Sequence, residues 1–204
     1  MAGMPIKKRK HYTWDDYLTF PDDRRFEIIN GEVFDMSPAP HPDHQLVLGD
    51  LYEAMKSHFK NAPCRIYLAP TDVKLSADTV VQPDIVVVCP PTKVDKFIDG
   101  PPALAIEILS PGTLMHDRVR KMLRYAAAGV KEYWIVSAEG RSVEVYSLNG
   151  AAYEPIGAFV ADDTVSGRVF PKMKIPVKAV FSDIAGNDVR VVKESRARYR
   201  TRRK

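Results

Sequence analysis

Hydrophobic and polar positions along this 204-residue chain follow two different periods. Apolar residues recur at helical spacing over about 43–60 and again over 113–128, which predicts two helices. Gly129 follows the second pattern, where helices commonly end. Thr13 and Asp16 form a capping-box pair, which predicts a short helix beginning at Trp14.

Most of the remaining pattern is typical of β-strands separated by turn residues. Asn30-Gly31 joins two β-prone runs, 25–29 and 32–36, and is a strong hairpin signal. The runs 80–89 and 103–109 are almost entirely apolar, as in strands that are covered on both faces. Further strands are predicted at 65–69, 72–75, 132–137 and 143–148, with weaker ones after them and a short amphipathic stretch at 177–184. We therefore expect an α/β (α+β) fold, with a mixed central sheet, flanking helices and β-hairpins.

Composition and charge divide the chain into one folded region and two tails. The apolar fraction of 45% and charged fraction of 27% are typical of a globular protein. The net charge is +4, but residues 1–11 carry +4 and residues 193–204 carry +6, which leaves the region 12–192 at −6. Such tails are either solvated extensions or nucleic-acid contacts. If the tails contact nucleic acid, the candidate residues are Lys7, Lys8, Arg9, Lys10, Arg196, Arg198, Arg200, Arg202 and Arg203.

The two cysteines, Cys64 and Cys89, match no metal or redox spacing. No apolar run is long enough to span a bilayer, and no signal peptide opens the chain. We therefore expect a cytoplasmic protein with reduced cysteines and no membrane partner.

Two acidic residues interrupt the two most apolar strands. Asp84 follows Gln82-Pro83, and Glu107 lies within the 103–109 run. Buried carboxylates need a cation or hydrogen-bond donors, and two of them on neighbouring strands would repel each other. A divalent cation such as Mg²⁺ answers both requirements. The alternative is structural: Asp84 caps the turn after Pro83, and Glu107 reaches solvent near the end of its strand.

At these residues the chain resembles the PD-(D/E)XK nuclease superfamily, and more specifically the Uma-type family of bacterial restriction-endonuclease-like proteins. The resemblance covers about 13–185 and rests on an ordered series of stretches: 26–32, 69–73, 81–84, 106–113, 128–136, and Asp117 with Lys121 and Tyr125. It implies that Asp84 and Glu107 are metal ligands, together with the carbonyl of Ile108. The superfamily pattern expects a lysine where this chain has Leu109. In the Uma-type family the following helix supplies it, and Lys121 matches that place.

The helical pattern gives independent support for Lys121. At about 100° per residue, one stripe of the helix contains Leu114, Lys121, Tyr125 and Ala128. Lys121 therefore lies within a partly apolar stripe, which is unusual for a surface lysine. The alternative is an ordinary surface pair between Asp117 and Lys121, four residues apart on the helix.

Weaker candidates surround these three residues. Glu27 or Glu32, in the first hairpin, could supply an outer carboxylate, although hairpin acids are usually solvated. Gln82 could orient the attacking water or a phosphate. His44 lies on a helical stripe with Leu48 and Leu51, where a histidine is more often packed or capping than catalytic.

The resulting hypothesis is hydrolysis of phosphodiester bonds, above all those of DNA, with Mg²⁺ or Mn²⁺ as cofactor. Cleavage of both strands of a duplex needs two sites, so the family analogy implies a homodimer. Two alternatives stay open: a catalytically inactive module that binds nucleic acid or a partner, and a phosphodiesterase acting on RNA or small molecules. Motifs for nucleotide-dependent chemistry and serine hydrolysis are absent from the sequence.

Overall fold

The computed structural model describes residues 11–36, 40–91, 94–109 and 116–184. Residues 1–10 and 193–204 of the basic tails, including the candidate nucleic-acid contacts at 7–10 and 196–203, lie outside these ranges, as does the first part of the helix predicted over 113–128. Along the chain the elements are α1 (Trp14–Tyr17), β1 (Phe26–Ile29), β2 (Glu32–Asp35), α2 (Pro42–Phe59), β3 (Arg65–Leu68), β4 (Val73–Ser76), β5 (Thr79–Val81), β6 (Ile85–Val88), β7 (Ile98–Asp99), β8 (Leu104–Leu109), α3 (His116–Ala128), β9 (Glu132–Ser137), β10 (Ser142–Asn149), β11 (Ala152–Val160), β12 (Thr164–Val165), β13 (Ile175–Pro176) and α4 (Val177–Val180).

The strands form a larger and a smaller mixed sheet and one short antiparallel pair. The larger sheet has the order β11-β10-β9-β8-β6-β3, and the smaller has the order β2-β1-β5-β4-β7. The pair β12-β13 stands apart from both. In the larger sheet β8 and β9 are parallel, and α3 lies between them in the chain as the crossover helix that such a pair requires. The mixed α+β fold class expected from the sequence is confirmed.

Both faces of the larger sheet are buried, which explains its apolar strands. Ile85 and Val87 of β6 pack into a core that contains residues of α2 and α4. Val86 and Val88 point the other way, into a second core with Tyr125 of α3 and residues of the smaller sheet. Because side chains alternate along a strand, Asp84 and Glu107 point toward this second face, the one that α3 covers.

The predicted strand at 80–89 is in fact two strands that belong to different sheets. β5 pairs with β1 and β4, whereas β6 pairs with β3 and β8. The chain crosses between the sheets at Gln82-Pro83-Asp84, where Pro83 has no N–H with which to continue a ladder. The hydrophobic pattern does not reveal this crossing, because β5 and β6 are both buried and read as one apolar run.

The expectation of reduced cysteines is wrong in this structure, where Cys64 and Cys89 form a disulfide. The reason is strand pairing, which spacing along the sequence does not reveal. In the antiparallel pair of β3 and β6, Arg65 lies opposite Val88. Cys64 and Cys89 therefore face each other one residue beyond, with Cα atoms 4.4 Å apart.

None of the helices in the described ranges is long and apolar enough to cross a membrane.

Candidate active site

The two acids predicted as metal ligands lie opposite each other on neighbouring strands. Ile85 pairs with Ile106 in the antiparallel ladder of β6 and β8, which places Asp84 opposite Glu107. Asp84 stands just before β6, and its Oδ2 accepts the backbone N–H of Ile108 at 2.7 Å. Asp84 therefore caps the end of this ladder and also faces Glu107. The structural alternative placed its cap at the turn after Pro83, whereas this hydrogen bond reaches across to β8.

Lys121 of α3 contacts Glu107 and the hairpin acid Glu27. Its Nζ lies 2.8 Å from Glu27 Oε1 and 3.1 Å from Glu107 Oε1, and 9% of its side chain is exposed. One turn later on the same face, the hydroxyl of Tyr125 donates to Glu107 Oε1 at 2.6 Å. Lys121 thus supplies an ammonium beside Glu107 from α3, in a chain that has Leu109 where the superfamily pattern expects a lysine.

His44, near the beginning of α2, completes the surroundings of Asp84. Its Nε2 lies 3.1 Å from Asp84 Oδ1, and its side chain is buried. The sequence interpretation favoured a packed or capping histidine, and burial agrees with packing. The contact with Asp84 adds a role in holding this carboxylate, which the helical stripe alone could not reveal.

Of the two hairpin acids, the structure brings only Glu27 into the cluster. Glu27 is buried with 2% of its side chain exposed, and its Oε1 accepts the N–H of Gln82 at 2.8 Å as well as the Lys121 ammonium. Glu32, by contrast, is exposed and pairs with Arg120 at 2.9 Å. The period of two along β1 and β2 gives no means of choosing between them without the tertiary structure.

The side chain of Gln82 is taken up by three protein groups. Its Nε2 donates to Asp72 Oδ1 at 2.8 Å and to Tyr17 Oη at 3.2 Å, and its Oε1 accepts from Arg25 Nε at 2.9 Å. Sequence reasoning did not select Tyr17, Asp72 or Arg25. Two features of the sequence could have pointed to them. Asp72 lies in the 69–73 stretch of the family resemblance, and Arg25 is two residues from Glu27, on the same side of an extended chain.

The cluster has more negative than positive charge. Leaving His44 aside, three carboxylates (Glu27, Asp84 and Glu107) share one ammonium. Burial raises the pKa of Glu107 to about 7, and the charges of Asp84 and Glu27 add to the rise while Lys121 opposes it. For Lys121, burial favours the neutral amine, but the carboxylates of Glu107 and Glu27 outweigh it and raise the pKa above its ordinary value.

These residues fit a divalent cation by charge and by donor type. The excess of two carboxylates over ammonium groups equals the charge of one such ion. The hydrogen bonds that described residues make to Glu107 all fall on Oε1, so Oε2 is without such a partner among them. No cluster of three or more His, Cys, Asp or Glu side chains arranged for a metal occurs within the described ranges. Two carboxylates with several waters is nevertheless a common arrangement for Mg²⁺.

Comparison with known proteins agrees with this fold. Residues 14–178 match the model of the Uma2 family, described as "Putative restriction endonuclease". A protein of Synechocystis sp., "Uncharacterized protein slr1290", is 26% identical over 141 residues, which cover 66% of this chain and 73% of that protein. The crystal structure of a "putative nuclease belonging to DUF820" from Anabaena variabilis superposes with a TM-score of 0.72 at 22% identity, covering 84% of this chain and 98% of that one.

The family model spans four fifths of the chain and includes Glu27, Asp84, Glu107 and Lys121. The structural likeness, at 22% identity, supports the same fold. This chain therefore belongs to the Uma2 family of restriction-endonuclease-like proteins.

Proposed function

We propose that this protein is a divalent-metal-dependent endonuclease that hydrolyses phosphodiester bonds of DNA in the cytoplasm. The observation that carries the proposal is the meeting of Asp84, Glu107 and Lys121. Asp84 directly precedes β6, Glu107 lies in β8 and Lys121 in α3, and they meet although the lysine is absent from its usual strand position. Membership of a restriction-endonuclease-like family supports nuclease chemistry.

Asp84, Glu107 and the carbonyl of Ile108 would hold Mg²⁺ or Mn²⁺. When bound, the ion supplies Lewis-acid polarisation of the scissile phosphate. His44 and the N–H of Ile108 orient the Asp84 carboxylate, and Tyr125 orients Glu107.

Lys121 supplies a buried positive charge beside the reacting phosphate. Because neighbouring carboxylates keep it protonated, we assign it the role of donor: it positions the attacking water and stabilises negative charge that develops on phosphate oxygens. Glu27 holds the ammonium in place, and the N–H of Gln82 holds Glu27. Cleavage of both strands requires two such sites, and we propose that a homodimer provides them.

The test is a cleavage assay on supercoiled plasmid, linear duplex, single-stranded DNA and RNA, with Mg²⁺, Mn²⁺ or EDTA. Asp84→Asn, Glu107→Gln and Lys121→Ala should each lower the divalent-dependent rate at least about 100-fold, because each removes a group that contacts the ion or the phosphate. Circular dichroism should show that each variant is folded. Lys131→Ala, which removes an exposed lysine beyond α3, is the matched control and should cleave at the wild-type rate.

The products separate the alternatives. Linear plasmid formed directly supports paired sites, whereas accumulation of nicked circles contradicts the homodimer. Cleavage of RNA alone would replace DNA as substrate. Activity that survives all three substitutions would overturn the site assignment. A wild-type chain that binds DNA but cleaves nothing would identify the inactive binding module instead.

A further inference from the structure

Arg25 is a half-buried cation that forms no ion pair with a carboxylate among the described residues. The one hydrogen bond that its side chain makes with a described residue runs from Nε to Gln82 Oε1 at 2.9 Å. No carboxylate in the described part of the chain lies within ion-pair distance of its terminal nitrogens, Nη1 and Nη2. Partial burial of a guanidinium without an anion is unfavourable, so this position favours an anionic ligand.

The position of Arg25 ties it to the candidate active site. Arg25 directly precedes β1, and two residues later Glu27 contacts Lys121. Alternate residues of an extended chain point to the same side, so both side chains face Gln82. Gln82 accepts from Arg25 through its side chain and donates to Glu27 through its backbone N–H at 2.8 Å. One residue therefore fixes both the guanidinium and the acid that holds the lysine.

The orientation of the guanidinium is set by a chain of hydrogen bonds. Tyr17 donates to Asp72 Oδ1 at 2.6 Å, and Gln82 Nε2 donates to the same oxygen at 2.8 Å. With its amide nitrogen held by Asp72, Gln82 must present its oxygen to Arg25. Because this bond uses Nε, the edge of the guanidinium formed by Nη1 and Nη2 is left for a two-point interaction with an oxyanion.

The neighbouring arginine shows what an ordinary structural arginine does in this region. Arg24 is exposed, forms an ion pair with Asp35, and lies over the ring of Phe26. Its charge is already matched within the protein. Arg24 and Arg25 therefore carry the same charge and are adjacent in sequence, but only Arg25 lacks a carboxylate partner among the described residues.

We infer that Arg25 binds a backbone phosphate of nucleic acid beside the reacting phosphate, through Nη1 and Nη2. Gln82, Asp72 and Tyr17 are its positioning residues. This inference rests on the proposed function in one respect: it takes nucleic acid as the ligand of the site. It assigns Gln82 an indirect role, since its amide reaches phosphate only through Arg25.

The test measures binding, so that its result does not depend on cleavage. Fluorescence anisotropy with a short labelled DNA duplex, in Ca²⁺ and separately in EDTA, gives Kd over a series of salt concentrations. Arg25→Met should raise Kd by about tenfold or more and reduce the slope of log K against log[salt] by about 1, because the variant neutralises one phosphate fewer. Arg25→Lys should keep the slope and still raise Kd, because an ammonium cannot bind two phosphate oxygens as the guanidinium does.

Two further variants separate positioning from charge. Tyr17→Phe keeps every charge and should raise Kd a few-fold without a change in slope, because it removes one bond that orients Asp72. Arg24→Met removes the same charge as Arg25→Met and should leave Kd close to that of the wild type. If Arg25→Met does not fold by circular dichroism, the comparison of Arg25→Lys with Arg24→Met decides.

The inference is overturned if Arg25→Lys and Arg25→Met bind as the wild type does, if Arg24→Met weakens binding equally, or if the wild-type chain binds no DNA in either condition. A wild-type chain that binds DNA through Arg25 but cleaves nothing would refute the proposed nuclease activity and leave this inference standing. If the wild-type chain cleaves DNA and the Arg25 variants bind it unaltered, the proposed nuclease activity stands and this inference is refuted.

Discussion

At the scale of single residues, the candidate site is a problem of charge balance. Glu27, Glu107 and Lys121 are all largely buried, and Asp84 faces the same group. A buried ion pair survives because desolvation is offset by close contacts and further hydrogen bonds. Here one ammonium satisfies two carboxylates, while Asp84 relies on His44 and a backbone N–H. The protein alone therefore leaves Glu107 under repulsion from neighbouring acids.

The raised pKa of Glu107 predicts how the metal-free protein responds to pH. Its pKa in the folded state is about 7, above the ordinary value of 4.5, so the folded protein holds this proton more tightly than the unfolded chain. The stabilisation is present below about pH 4.5 and is lost as the pH rises through about 7. In EDTA, the free energy of unfolding should therefore fall between about pH 5 and 7, by roughly 1–3 kcal/mol from this group.

Urea unfolding at several pH values checks this prediction. Glu107→Gln should flatten the decline, because a neutral amide has no proton to release. Glu53→Gln, which changes an exposed acid on α2, should retain the wild-type slope. An equally steep decline in Glu107→Gln would show that other groups cause it.

The residues that could be predicted from sequence are those whose local pattern is anomalous. Asp84 and Glu107 interrupt apolar strands, and Lys121 interrupts a partly apolar stripe, so each is visible as an exception. His44 and Arg25 are not exceptions locally. Their significance depends on contacts with Asp84 and Gln82, which are distant in sequence and meet only after strand pairing.

At the scale of elements, local sequence rules predict where strands and turns form, but they do not predict which sheet each strand joins. Asn30 and Gly31 have φ values of 55° and 77°, the left-handed conformation that a two-residue hairpin turn requires. The capping box also holds, since Asp16 accepts the N–H of Thr13 at 3.0 Å. The sequence does not predict the crossing at Pro83, because the crossing depends on which strand each half of the 80–89 run pairs with.

Glu132 lies at the centre of 128–136, one of the stretches that carry the family resemblance, and it has a structural role. Glu132, at the beginning of β9, is fully buried. Its carboxylate accepts from Trp134 Nε1 at 2.9 Å and from the backbone N–H groups of Arg168 and Val169 at 2.7 and 2.8 Å. It thereby ties the segment before β13 to the larger sheet, at a distance along the chain from the acids of the candidate site.

We predict that Glu132→Gln destabilises the fold by about 2–3 kcal/mol, because an amide NH₂ cannot accept the N–H bonds that the replaced oxygen received. Thermal and urea denaturation measure this change. Activity per folded molecule should stay at the wild-type level, and Glu139→Gln, on an exposed turn, should alter neither quantity. A folded Glu132→Gln protein with the wild-type stability would contradict the structural role.

At the scale of the whole molecule, the sequence predicted the composition of the layers but not their topology. The apolar runs of β6 and β8 reveal strands buried on both faces, yet the order of six strands depends on long-range pairing. The larger sheet places Asp84 and Glu107 toward α3, and the smaller sheet brings Glu27 to the same point. The candidate site therefore lies where both sheets and a helix meet, and each contributes at least one charged residue.

The distribution of charge over the whole chain leads to the last prediction. Residues 12–192 carry −6, so the region that contains the acidic site repels a polyanion at long range, whereas the tails carry +10 together. If the tails supply the non-specific attraction, replacing their lysines and arginines by glutamine should weaken binding of every DNA sequence alike. The salt slope should fall by several units, because each phosphate that a tail neutralises contributes about 0.9 to it. Changing Arg25 should lower the slope by only about one.

Anisotropy titrations over a salt series distinguish the tails from Arg25, and an unchanged slope in the tail variant would contradict this division of roles. The two regions should also differ in their effect on turnover. If the tails act only in the encounter with DNA and the buried cluster carries out hydrolysis, the tail variant should cleave at the wild-type rate under saturating DNA. If both results are obtained, long-range attraction by the tails offsets the repulsion that the excess carboxylates of the candidate site exert on an approaching phosphate backbone.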